Sequence, residues 1–396
     1  MSDLAVHLPF TSDEYAQRLR KTRAAMADKG IDLLIVTDPS NMAWLTGYDG
    51  WSFYNHQAVL LAQEGEPVWF GRISDANGAR RTTYLSGENI VPYPDIYAQN
   101  PERHPMTYLC EEVITPRGLG GARIGVEMDN YYFSAAAYQA LRAALPQAAF
   151  IDAEAMVNWQ RAVKSAQEID YMRRAARLVE AMHARVLDVI EPGMRKNDLV
   201  AQIYHTAITG TPEFGGDYPA IVPLLASGAD ASAAHLTWND TRIESDTGTF
   251  FELAGCYRRY HCPMSRTVYL GRPPKHFLDA EGAVLEGIDA GLAAAKPGKR
   301  CCDIAHAFFA VLKKHGIVKD SRCGYPIGLS YPPDWGERTM SFRASDQTVL
   351  QPGMTFHFMP GLWGDDWGLE ITESILITET GVEMLADVPR RLFVKD

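Results

Sequence analysis

Cysteine is scarce, with six residues among 396, and no two of them stand as a C-x-x-C pair. That spacing excludes a zinc ribbon and argues against a disulfide framework. Cys110, Cys256, Cys262, Cys301, Cys302 and Cys323 are expected as thiols in a reducing cytoplasm. Long apolar runs are also missing. No stretch approaches the ~20 residues of a membrane span, and the opening MSDLAVHLPF lacks the basic start and apolar segment of a signal peptide. There is no basic cluster either: 38 Lys and Arg face 49 Asp and Glu, for a net charge of −11. A surface of that sign does not neutralise phosphates, so neither a nucleic acid nor a membrane is expected as a partner. What remains is an ordinary globular composition, 46% apolar and 22% charged. At roughly 100–200 residues per domain, the length suggests two or three domains.

Helix and strand signals alternate through the first part. Thr11 and Glu14 have capping-box spacing before a helical stretch that Gly30 stops. IDLLIVT (31–37) reads as a buried strand closed by Asp38-Pro39. HQAVLLA and PVWFG read as a strand pair, RIGVEMD (123–129) as a further strand, residues 134–145 as a helix ended by Pro146, and AFIDA as a last strand. These define an α/β domain over residues 1–157. The second domain, 158–396, opens with a long amphipathic helix (166–190) ended by Pro192-Gly193. A helix at 197–209, strands at 248–253 and 266–270, helices at 280–295 and 303–315, and a strand-rich end at 355–385 follow. Two helix pairs, each followed by strands, predict an internally duplicated α+β domain.

Several phrases of this second domain resemble the creatinase/aminopeptidase P/prolidase superfamily, whose catalytic domain has the pita-bread fold. They are VKSAQEIDYMRRAARL (163–178), the P-G-M turns in IEPGMRKNDL (190–199) and LQPGMTF (350–356), SRTVYLG (265–271) and ITESILITETG (371–381). The resemblance implies an α/β creatinase-type N-terminal domain followed by a pita-bread domain, and a homodimer. Peptidases of the superfamily hold two metal ions on five carboxylate or imidazole ligands. At those positions stand Glu252 in FFELAG, Pro263 in HCPMSRT, Tyr325 in GYPIGL, Met359 in FHFMPGLW and Thr372, with Glu370 and Glu373 beside it. Proline and methionine do not replace charged oxygen donors around a hard dication, so no metal and no other cofactor is expected.

The phrases FELAGCYRRYHCPMSRT, GYPIGLSYPPDWGE and FHFMPGLWGDDWGLEITES are most similar to the ectoine hydrolase family of this fold. That resemblance implies hydrolysis of the cyclic amidine ectoine, and of 5-hydroxyectoine, to N-acetyl-2,4-diaminobutyrate in osmolyte catabolism. The chemistry suits the residues. An amidinium carbon is already electrophilic and needs no Lewis acid. It needs negative charge to hold it, a base or nucleophile, and an acid for the leaving nitrogen. Glu252, on an apparent inner strand before a turn at Gly255, is expected as nucleophile or base. His235 in AAHLTWND matches the superfamily's metal-free proton carrier and has the intrinsic pKa for the task.

Glu370 and Glu373 are expected as counter-charge, although their odd separation on one strand puts them on opposite faces. Tyr325 is expected to donate where a metal ligand stood. Trp363 is expected to cover the amidinium face, with Trp367 equally a core residue. Tyr54, in the N-terminal loop GYDGWSFYNH, is expected to approach the partner subunit's site. His261, between Tyr260 and Cys262, is expected to be structural. Three alternatives stand beside this: a creatinase-like amidino hydrolase, a metal-dependent Xaa-Pro dipeptidase, and a catalytically dead binding module. The position of creatinase's active-site Glu is Ser265 here, which disfavours creatine.

Overall fold

The computed structural model describes residues 6–395. The chain divides into two compact units, one up to Arg161 and one from Ala162 onwards. The first unit runs α1 (Ser12–Asp28), β1 (Leu33–Val36), α2 (Pro39–Thr46), β2 (Ala58–Ala62), β3 (Val68–Arg72), α3 (Ala76–Thr82), β4 (Ile90–Tyr93), α4 (Pro105–Tyr108), β5 (Arg123–Val126), α5 (Ala135–Ala144), β6 (Ala149–Asp152) and α6 (Met156–Arg161). Its six strands form one mixed sheet in the order β4-β3-β2-β1-β5-β6. The Thr11 hydroxyl caps α1 by accepting the Glu14 amide, as the spacing predicts. The short helix α2 was not legible as such; Pro39 at its first turn and the Asp38 side chain as N-cap explain it afterwards.

The second unit runs α7 (Ala166–Val189), α8 (Lys196–Thr209), β7 (Leu224–Ser227), β8 (Thr247–Tyr257), β9 (Tyr260–Leu270), α9 (Lys275–Ala294), α10 (Cys301–Lys314), β10 (Gly324–Pro326), β11 (Thr355–Phe358), β12 (Leu362–Trp363), β13 (Gly368–Leu369), β14 (Glu373–Ile377), β15 (Val382–Met384) and β16 (Phe393–Lys395). One four-stranded sheet has the order β16-β9-β8-β7 and another the order β10-β11-β14-β15. The KSAQE phrase does several jobs. Ser165 and Glu168 close a capping box at α7, and Lys164 pairs with buried Glu337 at 2.5 Å. Glu168 also accepts the Tyr260 hydroxyl at 2.6 Å. Phe277, Phe308, Phe342, Phe356 and Phe358 build the core between α9, α10 and the second sheet.

Gly255 is not the turn that the sequence suggests. It lies within β8, where α7 crosses so closely that a Cβ would sit 1.9 Å from the Ala175 carbonyl oxygen. The β8–β9 turn falls instead on Arg258 and Arg259, whose φ angles of 52° and 65° place two side-chain-bearing residues in the left-handed region. Because β8 and β9 pair Glu252 with Ser265 and Ala254 with Pro263, these side chains share one face. The opposite face, carrying Leu253 and Arg266, is buried as well. The sheets meet where Ser265 and Thr372 exchange two hydrogen bonds and Thr267 holds both backbone groups of Glu370.

Candidate active site

The shared face of β8 and β9 and the strand β11 enclose a cluster of buried polar side chains. Alternation along β11 sends Phe356 and Phe358 into the core, and His357 therefore points the other way. His357 Nδ1 lies 2.9 Å from the Tyr325 hydroxyl, and Nε2 lies 2.7 Å from Thr372 Oγ1. Trp335 Nε1 donates to the Tyr325 oxygen at 2.8 Å, and the Ser265 amide donates to Thr372 Oγ1 at 2.7 Å. The Glu252 carboxylate stands 3.8 Å from His357 Nδ1, beyond hydrogen-bond reach. Burial, with Arg322 and Arg266 nearby, pushes the His357 imidazole down to about 3, so it is neutral.

Two carboxyls face this cluster. Burial raises Glu252 well above the usual carboxylate range, and Glu370 and Asp334 raise it further. Burial also lifts Glu370 to about 7, against the opposing influence of Ser265, Trp363 and Lys319. The Ser265 hydroxyl and the Trp363 indole N–H look toward Glu370 without closing a hydrogen bond. All four polar atoms, Ser265 Oγ, Trp363 Nε1 and both Glu370 oxygens, are buried without a partner. Such groups cost about 1–3 kcal/mol each when left unpaired, so a site that keeps them together is built to receive a hydrogen-bonding ligand.

The structure thus brings Glu252, Glu370, Tyr325 and Trp363 into one site. It does not bring Glu373 there. That carboxylate is held by Arg266 at 2.8 Å and Arg390 at 3.1 Å, and its expected role as substrate counter-charge is corrected to a structural ion pair. Trp363 carries a cation already: Lys319 Nζ sits 4.5 Å from its ring centre, so that face is not open to a substrate amidinium. Trp367 packs on Phe277 and His276 and belongs to the core edge. His261 Nε2 accepts the Ala220 amide at 2.8 Å, and its Nδ1 is buried without a partner. His235 is exposed in the loop after the turn Gly228–Ser232, and it makes no hydrogen bond with the cluster among the described residues. That turn backs onto β13, the strand leading to Glu370, because Gly368 lies against the Ala231 carbonyl. Tyr54 lies on the first unit and is 66% exposed.

His357 and Trp335 escaped the sequence reasoning. The available signal for His357 was the phenylalanine alternation in TFHF. Trp335 had none, since an indole in a loop reads equally as packing.

A dinuclear metal centre does not fit these residues. Pro263 and Met359 offer no charged oxygen, Tyr325 and Thr372 are committed within the hydrogen-bonded chain, and both ring nitrogens of His357 are occupied. Among the described residues, no three His, Cys, Asp or Glu side chains are grouped as a metal site would need.

Residues 170–379 match metallopeptidase family M24, and residues 18–163 match the creatinase/prolidase N-terminal domain. The chain is 63% identical to an ectoine hydrolase of Halomonas elongata, over 99% of this chain and 100% of that one. Among solved structures, a prolidase from Thermococcus sibiricus superposes with a TM-score of 0.84 at 18% identity, covering 97% of this chain and 100% of the other. Dipeptidase PepE from Mycobacterium ulcerans gives 0.81 at 22% identity, covering 97% and 99%. These likenesses bear out the expected fold, a creatinase-type α/β N-terminal domain followed by a pita-bread catalytic domain. No helix among the described residues is long and apolar enough to cross a membrane. On the match over residues 170–379 and the full-length relation, the chain belongs to metallopeptidase family M24.

Proposed function

We propose that this protein hydrolyses the cyclic amidine of ectoine and of 5-hydroxyectoine, releasing from ectoine N-acetyl-2,4-diaminobutyrate, without a metal ion. The observation that carries the proposal is the pair Glu252 and Glu370, two buried carboxyls of which the second raises the proton affinity of the first, and neither of which is paired with a Lys or Arg side chain among the described residues. An amidinium supplies a cation. Its arrival favours the charged form of both acids, while a bound dication would repel it. The full-length relation to an ectoine hydrolase supports the same substrate class.

In the reaction, an oxygen adds to the amidinium carbon, one ring C–N bond breaks, and the departing nitrogen takes a proton to leave as an ammonium. The oxygen stays as the acetyl carbonyl of the product. Glu252 serves either as the attacking oxygen, with water later cleaving the adduct, or as the base that activates water. Glu370 holds the positive charge, and His235 carries the proton from the rim. The proposal includes a cytoplasmic homodimer in which the exposed loop with Trp51 and Tyr54 faces a partner subunit's site. The exposure of both aromatics, 55% and 66%, supports that contact.

Product analysis by mass spectrometry, with and without EDTA, tests this. Ectoine is expected to be converted with chelator present, while creatine and Xaa-Pro dipeptides are left intact. Turnover of a dipeptide that EDTA abolishes refutes the metal-free reading. Turnover of creatine in place of ectoine refutes the substrate.

A further inference from the structure

The buried chain Ser265–Thr372–His357–Tyr325–Trp335 fixes where each hydrogen must lie. Thr372 Oγ1 already accepts the Ser265 amide at 2.7 Å, and the side chain is fully buried. Its own hydroxyl hydrogen then has one acceptor within reach, His357 Nε2 at 2.7 Å. The opposite tautomer, with hydrogen on Nε2, would strand the Thr372 hydroxyl hydrogen in the interior. With Nε2 accepting, the neutral ring carries its hydrogen on Nδ1 and donates to the Tyr325 oxygen at 2.9 Å. Trp335 Nε1 fills the second lone pair of that oxygen at 2.8 Å. Both acceptor positions of Tyr325 are then used, and its O–H must point away from both donors. The remaining side is that of the Glu252 carboxyl, which lies 3.8 Å from His357 Nδ1 and close enough to Tyr325 to act on its phenol.

We infer that His357 is a positioning residue, held by Thr372 as the Nδ1–H tautomer, that aims the Tyr325 hydroxyl toward the Glu252 carboxyl as a fixed donor to anionic oxygen. The acceptor is the ionised Glu252 carboxylate and, after attack, the oxygen on the amidine carbon. A donor pre-aimed at forming charge needs no reorganisation during the reaction, and losing such a donor costs ~10²–10³ in kcat. The kinetic part rests on the proposed hydrolysis; the tautomer does not. The neutrality of His357 agrees with its depressed pKa of about 3.

Two measurements on the full-length protein decide the matter. Nitrogen NMR of histidine-labelled protein without substrate should show two non-titrating rings with hydrogen on Nδ1, that of His261, whose Nε2 accepts the Ala220 amide, and that of His357, identified as the one lost in His357→Asn and perturbed in Thr372→Val. A protonated Nε2 at that ring overturns the inference, whether or not ectoine is a substrate. In kinetics, Tyr325→Phe should lower kcat by ~10²-fold. Thr372→Val should lower kcat by about tenfold with KM nearly unchanged, and should cost nothing further in the Tyr325→Phe background. His357→Asn, whose amide N–H sits near the Nδ1 position, should retain more activity than His357→Gln. Losses from Thr372→Val and Tyr325→Phe that simply multiply, or equal activity in Asn and Gln variants, show a merely structural His357 and overturn the inference.

Discussion

Arg266 Nη2 lies 2.8 Å from Glu373 Oε1, with both side chains at least 96% buried, on the face of β9 turned away from Ser265. Arg266 also donates to the backbone carbonyls of Thr372, Val388 and Pro389, tying the C-terminal segment to the sheet. Removing one member of a buried pair leaves the other charge uncompensated, at ~3–5 kcal/mol. Glu373→Gln should therefore lower stability by that order in urea denaturation. The fraction that remains folded should keep a near wild-type kcat. A stable but inactive Glu373→Gln would return this residue to the active site.

Glu370 makes a separate prediction about pH. Its folded-state pKa is raised from 4.5 to about 7. Between those values the native protein holds a proton that the unfolded chain has released, so stability falls as pH rises through that window. The total effect is on the order of 3 kcal/mol. Glu370→Gln should flatten that slope, which urea denaturation at the two ends of the window measures. A slope unchanged by the substitution would show that Glu370 already ionises in its ordinary range.

Cation arrival offers a second handle on the same pair. If an amidinium lowers the proton affinity of Glu252 and Glu370, binding near pH 6 should release protons. Calorimetry in buffers of different ionisation enthalpy should show that release, and it should shrink in Glu370→Gln. Proton-neutral binding of ectoine would remove the carboxyl pair as its receptor.

Much of this was legible in the chain itself. Helix α7 follows directly from Ser165, Glu168 and the apolar spacing behind them, and Glu252 stood out as a carboxylate after two phenylalanines. Other features depend on long-range pairing that no local pattern encodes. Glu370 and Glu373 look alike in EITES, and only the proximity of Arg266 and Arg390 separates them. The hairpin turn was misplaced at Gly255 because glycine usually marks a turn; here it marks a helix crossing, and two arginines take the strained positions. Lys319, a surface residue by composition, covers Trp363 from a distant loop.

His235 sets a test of a different kind, since it is exposed and outside the packed cluster. His235→Ala should leave the denaturation midpoint within the usual ±0.5 kcal/mol of a surface change. If it carries the proton for the leaving nitrogen, kcat should fall by ~10²–10⁴. A variant within a few-fold of wild type takes His235 out of the mechanism.

Glu252→Gln should separate activity from stability in opposite directions. The amide keeps the side chain's shape but removes a buried acid whose ionisation both burial and Glu370 oppose. Above neutral pH the variant should be at least as stable as the wild type, a common outcome when a strained functional group is neutralised. Its kcat should collapse while substrate affinity changes far less, because attack and base catalysis both need the anion. The two routes part on one observable in the wild type. Direct attack, with water then cleaving the adduct at the Glu252 carboxyl carbon, leaves an oxygen of Glu252 in the product, so a single turnover in heavy-oxygen water gives unlabelled product and puts the label into the Glu252 peptide. Activation of water puts the label in the product's acetyl carbonyl from the first turnover and none in the protein. Near wild-type turnover by Glu252→Gln would defeat both routes and move the chemistry to Glu370.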